Sequence, residues 1–202
     1  MASSDYDIRH NLVFSGAWQL PFDKIWESGP SRLTKGWNLY PIISYRTGYP
    51  LDISAGISRT LGRVGPSGAG DPNLVRANLL NSNVALYDPR NVQVINGRAG
   101  YYYFSPLNFG RFTDINNNQN TYGTLGRNAL YGPGRTNADI SVTKNTALWN
   151  ETANLEFRAD FFNVLNHAQF RNPNLTITSA TFGQITSTYD ARIIQLALHL
   201  TF

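Results

Sequence analysis

The chain has 202 residues, of which 13% are aromatic and only 15% charged; it has no cysteine, and its net charge is +4. That length allows one or two domains with a real core. The missing cysteines exclude a disulfide scaffold and thiolate zinc sites, and the scattered Lys and Arg give nucleic-acid binding no support. An ordinary soluble domain is about a quarter charged. Here Asn, Ser, Thr, Gly and Tyr supply the polarity, which suits a sheet with one wet and one apolar face. No stretch approaches the roughly 18 continuous apolar residues of a transmembrane helix. The start, MASSDYDIRHNLVF, lacks the basic end and apolar centre of a signal peptide.

Five segments alternate with period two, the pattern of strands with two unlike faces. The first, His10–Leu20, sets Leu12, Phe14, Gly16, Trp18 and Leu20 against Asn11, Val13, Ser15, Ala17 and Gln19. The second, Gly36–Thr47, sets Trp37, Leu39, Ile43 and Tyr45 against Asn38, Tyr40, Ser44 and Arg46. Pro41 interrupts it and predicts a weak ladder position or a sheet edge. The third, Asn137–Asn145, sets Ala138, Ile140 and Val142 against Asp139, Ser141, Thr143 and Asn145.

The fourth, Ala153–Leu165, carries Leu155, Phe157, Ala159, Phe161 and Leu165 on one face. Asn154, Glu156, Arg158 and Asp160 lie on the other. NLEFRADFFNVLN is rich in helix formers, but its apolar set would wrap around a helix instead of forming a stripe, so the segment is predicted as a strand. The fifth is the terminal RIIQLALHLTF, where Ile194, Leu196, Leu198, Leu200 and Phe202 alternate with Gln195, Ala197, His199 and Thr201. Each segment is about ten residues, the length of a tilted membrane strand.

The connections are unequal. Asn145 to Ala153 passes through TALWNET as a short turn, and Pro21–Lys35 is intermediate. The run 51–136 is too long for an ordinary loop; GRVGPSGAGDPN, YDPRN and DINNNQN are its most turn-rich parts. Asn166–Asp190 is also long. Counted back from the terminus, the long connections fall at one end of the sheet and the shorter ones at the other, as in outer-membrane barrels.

Few residues suggest catalysis. GRVGPSGAGD (62–71) lacks the Lys-Ser/Thr of a phosphate loop and is expected to be a loop. His10, His167 and His199 have no ligand spacing, and G-x-S-x-G does not occur. Glu156, Arg158 and Asp160 alternate in charge on one strand face; a cross-strand ladder of ion pairs in a wet interior is favoured over a substrate route. Trp18, Phe22, Trp26, Trp37, Tyr40, Tyr45 and Tyr49 fit an interfacial aromatic girdle more simply than sugar platforms. No cofactor or metal is expected.

Four pieces resemble the C-terminal end of the β-barrel of TonB-dependent outer-membrane transporters, specifically the Oar-like group. They are DIRHNLVFSGAWQLPF (7–22), GWNLYPIISYRTGYPLDIS (36–54), LGRNALYGPGRTNADISVTKN (125–145) and LEFRADFFNVLNHAQFRNPN (155–174), in family order. In the last, Asp160 stands where the family usually has glutamate, and Leu165 where it has an aromatic. The resemblance implies an all-β fold: an antiparallel transmembrane β-barrel segment of five long strands with long extracellular loops, in the outer membrane. It implies uptake of a scarce nutrient of the siderophore, cobalamin or oligosaccharide class, and no enzymatic activity. The implied partners are outer-membrane lipid, the barrel-assembly machinery, the small ligand, and the TonB system acting through a plug.

Residues 1–202 are thus expected to be the C-terminal portion of such a receptor barrel, without plug or signal peptide, with 51–136 its long extracellular loop region. Barrels of this kind have about 22 strands, so five are expected to be a piece. One alternative is a small complete barrel or porin, which needs eight strands or more; YYYFSPLNF (101–109) and NVQVI (91–95) supply too few extra. Another is a soluble β-sheet carbohydrate-binding module, whose apolar face would need a covering layer. In the transporter reading Ile194, Leu196, Leu198, Leu200 and Phe202 face lipid, with Phe202 as part of an assembly signal, and Glu156, Arg158 and Asp160 face the lumen.

Overall fold

The structure, a computed structural model, describes residues 4–54, 76–110, 123–148 and 153–202. Among them the strands are β1 (Asn11–Ser15), β2 (Trp18–Gln19), β3 (Trp37–Arg46), β4 (Pro50–Leu51), β5 (Asn78–Leu79) and β6 (Gln93–Ile95). They continue with β7 (Arg98–Gly100), β8 (Phe109–Gly110), β9 (Leu130–Tyr131), β10 (Arg135–Leu148), β11 (Ala153–Phe162) and β12 (Ile193–Thr201). Two single helical turns, α1 (Phe22–Ile25) and α2 (Ser31–Thr34), precede β3. The chain divides into two units.

One unit comprises His10–Arg46, Arg135–Gln169 and Tyr189–Phe202. It is an antiparallel sheet in the order β1-β3-β10-β11-β12, with β2 also on β3. All five alternating segments become strands of this sheet, so the all-β antiparallel expectation holds. The 14 residues of β10 exceed the expected Asn137–Asn145 at both ends.

The first segment is split, and Pro41 explains where. The amide of Gly16 donates to the carbonyl of Pro41 at 3.2 Å. In an antiparallel strand a residue's N–H and C=O point the same way. The donor that Pro41 lacks would therefore have pointed at the first segment, and there the pairing breaks between Ser15 opposite Ile42 and Trp18 opposite Leu39. On the other side β3 pairs with β10 without interruption, Pro41 opposite Ile140. The proline marks a weak ladder position and not an edge.

The fourth segment ends three residues before Leu165, at Phe162. Asn163 adopts a left-handed backbone (φ 51°) that a continuing strand cannot use. Its amide donates to Asp139 Oδ1 at 2.8 Å, and its side chain accepts from the His167 amide and donates to the His167 carbonyl, both at 3.1 Å. This brace turns the chain sharply and leaves Leu165 71% exposed.

The other unit comprises Met1–Arg9, Thr47–Gly134 and Phe170–Thr188. The described parts of 51–136 carry β4 to β9 as three two-stranded pairs, β4 with β9, β5 with β8 and β6 with β7. They enclose a core of Leu51, Ile53, Ala77, Tyr103, Phe104, Phe109, Leu125, Phe182 and Ile185. Phe104, Phe109 and Phe182 meet edge to face, with ring centroids 5.3 to 5.9 Å apart, the arrangement aromatic quadrupoles favour. The expected turn at YDPRN forms: Asp88 Oδ1 accepts from the Arg90 amide at 3.0 Å, and Arg90 closes an ion pair at 2.8 Å. NVQVI and YYYFSPLNF contribute β6 and the start of β8, all within this unit. GRVGPSGAGD, DINNNQN and the last four residues of TALWNET lie outside the described residues, and its first three belong to β10.

Candidate functional site

In an antiparallel ladder, residues directly opposite each other share a face. The registers therefore build each face of the sheet row by row. Leu155, Phe157, Ala159 and Phe161 of β11 stand opposite Leu200, Leu198, Leu196 and Ile194 of β12. Phe161 and Ala159 in turn oppose Ile140 and Val142 of β10, which oppose Pro41 and Leu39 of β3. Ile43 opposes Phe14 and Ala138, and Tyr45 opposes Leu12. One face of the sheet is thus apolar from β1 to β12. Along its terminal strand no described residue covers it: Leu196 and Leu198 are 68% and 69% exposed, and Phe202 is 93% exposed.

The opposite face is polar. Tyr40, Ser141, Asp160 and Gln195 form one row across four strands, and Asn38, Thr143, Arg158 and Ala197 the next. Glu156 stands between Asn145 and His199. A cleft of about 430 Å³ opens on this face over Tyr40, Ser141, Thr143, Glu156, Arg158 and Asp160. The three charged residues predicted from sequence thus share one cleft.

Their pairing differs from the expected cross-strand ladder. Arg158 Nε reaches Asp160 Oδ2 at 2.9 Å along its own strand, and Ser141 Oγ donates to Asp160 from the next strand. Glu156 makes no ion pair among the described residues. The register explains this: opposite Glu156, Arg158 and Asp160 on β12 stand His199, Ala197 and Gln195, and on β10 Asn145, Thr143 and Ser141. None carries a fixed charge, so Arg158 finds its partner two residues along.

The predicted aromatics separate. Trp18 lies in β2 and Phe22 and Trp26 in the connection that leads to Trp37, so these four gather at the end of the sheet where β3 begins. Phe22 and Trp37 pack edge to face at 5.9 Å, and Trp37 Nε1 donates to the Leu33 carbonyl at 2.7 Å. Tyr45 lies at the far end of β3, and Tyr40 stands on the polar face opposite Ser141. Tyr49 belongs to the other unit.

The structure adds one candidate that the sequence patterning does not single out. Continuing the 138, 140, 142 alternation puts Lys144 on the apolar face, between Trp37 and Phe157. Only 9% exposed, Lys144 turns its ammonium along the sheet to the Lys35 carbonyl at 2.6 Å, Thr146 Oγ1 at 2.9 Å and the Asn145 carbonyl at 3.2 Å. A cationic head led away from an apolar row by its own stem is snorkelling.

In the second unit Asp5 accepts from Arg127 at 2.6 Å and from the Asn128 side chain at 2.8 Å. These bonds, Asn128 first, hold its carboxyl below the usual range. Nearby Asp52 is pushed up by burial, against the pull of Arg76, Arg127 and the Asn128 backbone. Its Oδ1 has no partner among the described residues. Those residues contain no grouping of His, Asp and Glu able to hold a metal.

An antiparallel sheet of long strands, polar on one face and apolar on the other, with the apolar row exposed along β12, fits the wall of a membrane β-barrel. The family model described as "Outer membrane beta barrel domain" matches residues 1–195, nearly the whole chain, and the chain belongs to that family. It is an outer-membrane β-barrel protein, located in the outer membrane. A search of curated proteins returned no significant match. Nor did one of solved structures.

Proposed function

We propose that the chain forms the C-terminal wall of the barrel of a TonB-dependent outer-membrane transporter of the Oar-like group. Such a transporter takes up a scarce nutrient of the siderophore, cobalamin or oligosaccharide class and catalyses no covalent chemistry. The observation that carries this reading is the set of four sequence pieces, 7–22, 36–54, 125–145 and 155–174, standing in that group's order. The strand layout is compatible with it: β1 and β12 have no second neighbour in the described sheet, as expected for part of a larger wall.

In this reading Ile194, Leu196, Leu198, Leu200 and Phe202 face lipid, and Phe202 belongs to the signal read by the barrel-assembly machinery. Glu156, Arg158 and Asp160 line the lumen. The long connections, including 51–136, lie outside the cell, and the TonB system acts through a plug.

The test is uptake by cells expressing the protein in its full genomic reading frame. Chelated iron, cobalamin and oligosaccharides are supplied in turn, with and without TonB. Uptake of one class that disappears when either the protein or TonB is deleted is the expected result. Uptake that persists without TonB would replace the transporter with a porin.

A further inference from the structure

We propose that the pocket between α2 and the end of β10 holds the phosphate head group of an anionic phospholipid whose acyl chains lie on the apolar face. This rests on that face being the one turned to lipid. The pocket, about 500 Å³, is lined by Ser31, Arg32, Lys35, Lys144 and Thr146 among others, and none of its described lining residues is acidic.

Three cations thus converge on one concavity. Lys144 anchors it from the apolar row, its three N–H donors spent on neutral oxygens, so its charge has no carboxylate partner among the described residues. Arg32 and Lys35 are exposed at the rim and retain free donors among the described residues. Arg32 brings the planar fork that suits a phosphate, and the Ser31 hydroxyl adds a neutral donor.

The surroundings select a lipid over a free anion. In the same connection Ile25 and Leu33, on the two helical turns, and Trp26, just after the first, are 76%, 61% and 55% exposed, a composition suited to the boundary between head groups and acyl chains. Trp37 stands opposite Lys144 at the mouth of the apolar face. Inorganic phosphate would use the charges and leave these groups idle; an anionic phospholipid uses both. Basic residues at such a boundary attract anionic lipids by charge.

The test is calorimetric titration of the full chain, refolded in zwitterionic micelles, with short-chain phosphatidylglycerol, short-chain phosphatidylcholine and inorganic phosphate. Saturable binding of phosphatidylglycerol alone is expected. Each rim cation removed should weaken it about fivefold, so Arg32→Gln with Lys35→Gln should weaken it more than tenfold. Both side chains are exposed, so the double variant is expected to fold; Lys144→Gln is a secondary probe. Phosphate binding as tightly as the lipid, no preference over phosphatidylcholine, or an unchanged affinity in the double variant would each overturn the proposal. Cysteine labelling of β12 checks the lipid-facing reading separately: alternation kept while lipid preference is absent sinks only the head-group site.

Discussion

Leu196 of the terminal strand lies directly opposite Ala159 of β11, and the larger side chain is 68% exposed while the smaller is 6% exposed. One residue further along, Ala197 stands opposite Arg158 on the other face. In the proposed barrel wall, neighbouring positions on β12 would therefore meet lipid and water in turn. A Lys on the lipid face near the bilayer midplane costs about 2–4 kcal/mol, whereas a lumen position tolerates it. Leu196→Lys should lower stability by that amount, and Ala197→Lys by under about 1 kcal/mol. Urea titration of the protein refolded in phospholipid vesicles, followed by tryptophan fluorescence, measures both.

The core of the second unit makes a separate prediction. Phe104 is fully buried and touches both Phe109 and Phe182. Truncating it removes buried aromatic surface and leaves a cavity, at a cost of about 3–5 kcal/mol. Amide exchange around Leu51–Ile53 and Tyr102–Phe104 should accelerate more than about a hundredfold in Phe104→Ala. Protection within β10 and β11 should stay unchanged.

Two carboxylates of that unit give opposite pH dependences. Asp5 has a lowered folded-state pKa, so its contribution is present above the unfolded value and lost as pH falls through the folded one. Asp52 has a raised one, so the fold favours its neutral form; that preference is complete below the unfolded value and lost as pH rises through the folded one. Asn mimics the neutral acid. Asp52→Asn should therefore stabilise the unit at neutral pH, with a gain that fades below the usual carboxylate range. Asp5→Asn should destabilise at neutral pH and remove part of the acid sensitivity. Amide exchange at neutral and acid pH reads both signs.

The terminal residue carries its own prediction. Phe202 is almost wholly exposed and follows the last paired residue, Thr201. If it belongs to the assembly signal, deleting it should reduce outer-membrane insertion far more than Phe161→Ala, which removes an aromatic from the same apolar face. Quantifying both variants in outer-membrane fractions decides; equal losses would reduce Phe202 to one lipid-facing aromatic among several.

The sheet was legible because each of its strands is long enough for period two to repeat several times, as at Leu155, Phe157, Ala159 and Phe161. The polar face was legible for the same reason, which is why Glu156, Arg158 and Asp160 were placed together. Their pairing was not, because it depends on which β10 and β12 residues the register brings opposite. Lys144 lay within reach of the alternation, but its ammonium is satisfied by Lys35, far away in sequence, which no local pattern reveals. The second core was hidden for a different reason. Its strands are two or three residues long, too short to show a period, and its buried groups come from positions as distant as Leu51 and Ile185.

In the proposed barrel one face of this sheet meets lipid and the other water. Because the chain has no cysteine, single cysteines at 193–201 can be introduced one at a time without background. In vesicles, positions 194, 196, 198 and 200 should be quenched by a lipid-phase quencher when labelled, while 195, 197 and 199 should react with a water-soluble maleimide. Uniform labelling by the water-soluble reagent along β12, or the opposite alternation, would contradict a lipid-facing apolar row.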